Sequence, residues 1–144
     1  MQNNVRCFKN NKYALAIEAA HNNVDILLLN EISTPPNEYI KLRGFTTVLK
    51  AIGPNRGTAI LVKTIIEFQE IPAKDPNTIA IKINTNLGPL IISTSYIAPS
   101  VNTIPVITLN KILNHNIPTV FISDFNAHHP FLNNTTGQGD MRGR

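Results

Sequence analysis

An acid and an amide two positions apart, with adjacent histidines just beyond them, occupy residues 122–130, ISDFNAHHP, directly after the apolar run IPTVF. Asp124 offers a carboxylate that can orient or deprotonate a water, and Asn126 an amide that can hold an anionic oxygen. Other polar residues end apolar runs in the same manner. Glu31 follows VDILLLN, Tyr96 follows LIISTS, and Asn4 lies in QNNVR, read as the end of a first strand. If these strands lie side by side, two carboxylates, two amides and a phenol converge on one rim of a sheet. That donor set suits a hard divalent cation such as Mg²⁺, which keeps several waters and takes one or two carboxylates beside a substrate phosphate.

Each residue also has a plainer role open to it. Glu31 can cap a loop or helix, Tyr96 can be a core aromatic with its hydroxyl at the surface, and Asn4 can be a turn residue. Asp124 and Asn126 can close a strand as an Asx-turn. His128 and His129 are adjacent and point apart from the backbone, which makes them a poor zinc pair. His21 and His115 fall late in two expected helices, where a solvated or capping imidazole is the ordinary case. The sequence holds no Gly-rich phosphate loop and no G-x-S-x-G elbow.

The elements that must position these residues alternate between strand and helix. KYALAIEAAHNN predicts a helix with Tyr13, Ile17 and Ala20 on one face, and VDILLLNE a strand buried on both faces. The adjacent prolines in STPPNEYIKLRG predict a loop. FTTVLK, GTAILVK, TIAIKIN and LIISTSY read as strands, the last two joined by a hairpin around Gly88. IPVITLNKILNH predicts a second helix with Val106, Leu109 and Leu113 on one face, and PTVFISDF a second buried strand. The order is that of an α/β domain with a mixed sheet, in which ligands collect where strands give way to loops.

Totals set the bounds. A chain of 144 residues, 42% hydrophobic and 15% charged, is globular and sized for one core. No apolar run is long enough to span a membrane, and the N-terminal stretch lacks a signal-peptide core. The single cysteine, Cys7, has no internal partner. The net charge of +4 permits contact with polyanions, although the 13 Lys and Arg residues are scattered rather than gathered in an arm.

Taken together, QNNVRC, VDILLLNE, RGTAILVK, STSYIAPS and IPTVFISDFNAHHP resemble, in collinear order, the endonuclease/exonuclease/phosphatase superfamily. More narrowly, they resemble the apurinic-type endonuclease domain of jockey-like non-LTR retrotransposons. The last motif is the most specific, with Ser123 standing where that pattern has Gly. The resemblance implies a four-layered α/β sandwich and Mg²⁺-dependent cleavage of a DNA phosphodiester, with Mn²⁺ as a substitute. The nick would leave a 3′-hydroxyl priming a reverse transcriptase domain in the same polypeptide, which implies a nuclear site of action. Carried over by position, Glu31 and Asn4 match the metal-binding pair. Tyr96 matches the phosphate-contacting tyrosine, Asp124 the residue acting on the attacking water, and Asn126 the asparagine holding the scissile phosphate. Arg56 and His128 are the remaining substrate-binding candidates.

Departures accompany the matches. Asn3, Ser33 and the FLN stretch stand where the family usually has Trp, and the family's Ser-Asp-His motif has no counterpart here. Residues 1–132 are thus expected to form only the first half to two-thirds of such a domain, with 133–144 a polar tail. On their own these 144 residues are expected to be poorly stable and to have little or no nuclease activity. Two alternatives remain: a phosphoesterase of the same fold acting on a small or lipid phosphate ester, and a non-catalytic remnant that binds nucleic acid through its charge.

Overall fold

A computed structural model describes residues 1–33, 39–51, 57–73, 75–97 and 104–126. The chain runs β1 (Gln2–Asn4), α1 (Phe8–His21), β2 (Ile26–Asn30), β3 (Phe45–Ala51), β4 (Gly57–Lys63) and β5 (Phe68–Ile71). It continues through β6 (Thr78–Thr85), β7 (Gly88–Ser95), α2 (Val106–Leu113) and β8 (Thr119–Phe121). Two four-stranded sheets result, ordered β1-β2-β4-β3 and β5-β6-β7-β8. The pairs β1–β2 and β7–β8 are parallel and the others antiparallel, so both sheets are mixed.

Continuous apolar runs produce this layering because alternate side chains leave a strand on opposite faces. In β2, Leu27 and Leu29 pack with Phe8, Leu15 and Ala19 of α1, whereas Leu28 packs toward the other sheet. In β4, Ala59 and Leu61 join the α1 side, and Ile60 and Val62 meet Ile79, Ile81 and Ile83 of β6. On the outer face of the second sheet, Ala80 and Ile91 meet Ile112 of α2. Helix, sheet, sheet, helix: this is the four-layered α/β sandwich. Burying a leucine or isoleucine in such a core is worth about 1.5–3 kcal/mol. The hairpin between β6 and β7 turns at Asn86 and Leu87, with Gly88 at φ +113°. There the Thr85 hydroxyl donates to Gly88 O (2.8 Å) and accepts the Leu87 N–H (3.2 Å).

Several expectations need correction. Tyr13 and Ile17 are 81% and 71% exposed, and Ala20 is exposed too; Phe8, Leu15 and Ala19 are the buried residues of α1. The helix starts at Phe8, four residues before the expected Lys12, and Phe8 with Leu15 sets the stripe. Tyr13 and Ile17 each lie two residues from Leu15, about 200° round the helix. Helix α2 likewise buries Thr108 and Ile112 and exposes Val106 and Leu113, because the sheet face it meets, Ala80 and Ile91, takes one narrow stripe. Strand β8 is a half-exposed edge rather than a buried strand. It pairs only with β7 among the described residues, and Val120 and the following Ile122 are 42% and 39% exposed. Strand β5 was not anticipated: FQEI is short and mixed in polarity. Among the described residues no helix is long and apolar enough to cross a membrane. The expected tail at 133–144 lies outside the described residues.

Candidate active site at the sheet rim

Chain connectivity decides which strand ends meet. Lys63 ends β4 and Phe68 opens β5 only a short turn later, so the two sheets share that end of the sandwich. The antiparallel ladders then bring the opposite ends together as well: Asn30 beside Thr58 in the first sheet, and Ser95 beside Thr78 in the second. Asn4, Glu31, Tyr96 and Asp124 all stand at this shared rim.

In the first sheet, β1 and β2 run parallel with Asn4 opposite Asn30. The backbone then turns sharply, with Glu31 at φ +54° and Ser33 at +45°. A non-glycine residue in that region costs roughly 1–3 kcal/mol and persists only where its surroundings fix it. They do so here. Val5 N–H donates to Asn30 O (3.0 Å), Phe8 N–H to Ile32 O (2.9 Å), and Ser33 Oγ to Arg6 O (2.8 Å). Glu31, half-buried, is thereby held beside the turn leading from β1 into α1. Asn4 is exposed, and its Oδ1 accepts the Arg6 N–H at 3.3 Å.

In the second sheet, a parallel bridge pairs Tyr96 with Asp124 beyond the ends of β7 and β8. Asp124 N–H donates to Ser95 O (3.1 Å), Ile97 N–H to Asp124 O (3.0 Å), and Ser95 N–H to Ser123 Oγ (2.7 Å). Asp124 Oδ1 accepts the Asn126 N–H at 3.0 Å, which is the Asx-turn geometry. Asn126, at φ +46°, donates through Nδ2 to Ile97 O at 2.9 Å. Stacked rings of Phe121 and Phe125, 5.7 Å between centroids, back this loop. Tyr96 is 6% exposed, so its ring is a core residue as well as a rim residue. Leu90 and Ile92 face the first sheet, and two-residue alternation puts Tyr96 and its partner Asp124 on that same face.

The turn reading and the chemical reading of Asp124 and Asn126 are therefore compatible. One carboxylate oxygen is used by the turn, and the other remains for a water. Arg56 and His128 lie outside the described residues. Sequence reasoning missed Asn30, Thr58 and Thr94, three fully buried polar side chains at this rim. The signal was present in the sequence for the first of them, a lone polar residue closing ILLLN. A cleft of about 540 Å³, lined by Lys12, Tyr39, Lys41 and Arg43, lies elsewhere. It includes Phe45, which pairs with Lys63 at the other end of the sandwich, and no acid lines it among the described residues.

The paired sheets and their order can be compared with solved structures. The endonuclease domain of TRAS1, a telomere-specific non-LTR retrotransposon, superposes with a TM-score of 0.76 at 20% identity, over 99% of this chain and 64% of that one. The fold is that of the endonuclease/exonuclease/phosphatase superfamily. An AP endonuclease from Archaeoglobus fulgidus gives 0.67 at 15% identity, over 91% of this chain and 61% of that one. A Neisseria 3′ phosphatase bound to a product DNA hairpin gives 0.60 at 16% identity, over 87% and 56%. The chain thus spans under two thirds of the length of these structures. No protein-family profile matches the chain. No curated protein matches it either.

Proposed function

We propose that the chain carries the site of a metal-dependent DNA phosphodiesterase, of the endonuclease kind found in non-LTR retrotransposons of the jockey type. The observation that carries this reading is the convergence at one rim of Asn4 and Glu31 from the first sheet with the bridged pair Tyr96 and Asp124 from the second. The resemblance in sequence order and the likeness to the TRAS1 endonuclease domain support it.

The donor set fits a hard cation. No cluster of three or more His, Cys, Asp or Glu stands together among the described residues, which argues against a closed protein cage. One carboxylate and one amide leave room for the waters that Mg²⁺ retains. Glu31 and Asn4 would hold Mg²⁺, or Mn²⁺ in its place, and the bound ion supplies Lewis-acid polarisation of a phosphoryl oxygen. Asp124, with one oxygen fixed by the Asx-turn, orients a water with the other and takes its proton. The second amide hydrogen of Asn126 and the phenol of Tyr96 donate to the non-bridging oxygens, where negative charge accumulates. The water oxygen bonds to phosphorus, the P–O3′ bond breaks, and the departing O3′ takes up a proton from solvent to become a 3′-hydroxyl, leaving a 5′-phosphate on the other product. In the parent polypeptide that hydroxyl would prime reverse transcription by a following polymerase domain, in the nucleus. With no Ser-Asp-His motif in these residues, turnover is expected to be residual.

The chemistry of the cut ends tests this reading. A labelled duplex incubated with the chain and Mg²⁺ is expected to yield internal 3′-hydroxyl ends that a DNA polymerase extends. Release of inorganic phosphate from a 3′-phosphorylated end, with no internal cut, would replace the endonuclease with a phosphatase of the same fold. Salt-sensitive DNA binding with neither product would leave only the binding remnant.

A further inference from the structure

The gap between the two sheets is apolar along most of its length, lined by Leu28, Ile60, Val62, Ile79 and Ile81. At the rim its lining changes. Asn30, Thr58 and Thr94 are each 0% exposed. The amide nitrogen and oxygen of Asn30 and both threonine hydroxyls have no hydrogen-bond partner among the described residues. An amide or hydroxyl buried in that condition is strongly disfavoured, and each instance calls for an account.

Their placement supplies one. Asn30 and Thr58 are register partners across β2 and β4, and Asn4 stands on the other side of Asn30. Asn30 lies two residues beyond Leu28, and Thr58 two before Ile60, so both share the face turned toward the second sheet. Thr94 lies between Ile92 and Tyr96 on the answering face of β7, which stands across from β4. Three strands thus direct unpartnered polar groups into one end of one gap. That end is immediately behind Glu31, whose backbone is held at φ +54°.

We propose that Asn30, Thr58 and Thr94 form one internal hydrogen-bonding group, joined by ordered water between the sheets, which clamps the end of β2 and so positions Glu31. Water suits the site because it both donates and accepts, and an amide with two hydroxyls supplies the two to four partners a buried water needs. A metal ion suits it poorly, since the group has no carboxylate. The carbonyl of Asn30 already ties β1 to β2 through Val5 N–H (3.0 Å), so fixing this residue fixes both neighbours of the site, Asn4 and Glu31. Asn30 is then a positioning residue acting through Glu31. That role rests on the reading of Glu31 as a metal ligand; the existence of the internal group does not.

The test combines a double-mutant cycle with a metal titration. Thr58→Val, Thr94→Val and the double variant keep side-chain volume and remove hydroxyls. Each single change is expected to lower the thermal midpoint by about 4 °C, and the double variant to fall by clearly less than the sum. Mn²⁺ affinity, read by water-proton relaxation, is expected to weaken about tenfold in each. Leu15→Ala, a destabilising change against α1, is expected to leave it unaltered. Midpoints that rise, or shifts that add, would show independent hydroxyls with no shared water and overturn the group. Thermal coupling with unchanged Mn²⁺ affinity would overturn the positioning role. If the unaltered chain bound no Mn²⁺, the metal-site reading and the positioning role would both fall, while the thermal cycle would still decide on the group. Should a valine variant not fold, Thr58→Ser and Thr94→Ser retain the hydroxyls and are expected to keep the Mn²⁺ affinity, with the midpoint lowered only by the deleted methyl. A tenfold affinity loss in these would contradict the proposal.

Discussion

At the residue scale, Asp124 and Glu31 each combine a structural and a chemical demand, and substitutions can separate the two. Asp124→Asn keeps an oxygen to accept the Asn126 N–H, so the turn survives. Stability is expected to change by less than about 0.5 kcal/mol in a denaturant titration, since the packing is untouched. The proton acceptor is lost, however, and phosphodiester cleavage is expected to fall about 10²–10⁴-fold. Glu31 stands at φ +54°, where glycine is at ease. Glu31→Gly is expected to hold or raise stability, by up to about 1 kcal/mol, while Mn²⁺ binding is lost. A Glu31 that merely capped the turn would instead destabilise the chain when removed, with no effect on the metal. The rim positions of Glu31, Tyr96 and Asp124 were legible in the sequence because each directly follows a strand-like run, and that of Asn4 from reading QNNVR as the end of a first strand. The buried set was not: Thr58 and Thr94 look like ordinary β-branched strand residues until the register sets Thr58 beside Asn30 and the packing of the sheets turns Thr94 toward the same gap.

At the element scale, the buried central strands were legible and the helix faces were not, for one physical reason. Runs such as ILLLN and GTAILVK, buried on both sides, announce themselves by composition alone. A helix face depends on phase, and in α1 the phase is set by Phe8, outside the stretch whose alanines suggested a helix. The burial of Leu15 and exposure of Ile17 give a direct check. Leu15→Ala is expected to cost about 2–5 kcal/mol in denaturant unfolding, and Ile17→Ala less than about 0.5 kcal/mol. The reverse order would place the wrong face of α1 on the sheet. Strand β5 escaped because four residues of mixed polarity carry no period, and it exists through pairing with β6.

At the scale of the whole molecule, two sheets joined through Lys63 and Phe68 make the rim a single place rather than two. The chain covers 64% of the TRAS1 endonuclease domain, and along β8 and α2 it exposes Val120, Ile122, Ile107 and Leu113. An apolar edge strand of this kind promotes pairing between copies. The 144 residues are expected to self-associate in light scattering, and Val120→Lys to reduce that association without lowering Mn²⁺ affinity. The central claim, that the shared rim performs phosphodiester chemistry, is tested most directly by nicking of supercoiled plasmid in Mg²⁺, with the unaltered chain beside Asp124→Asn. Slow nicking that requires Mg²⁺ and disappears in the Asn variant is the predicted result. Nicking that persists undiminished in a folded Asp124→Asn chain, or that proceeds equally without Mg²⁺, would contradict it.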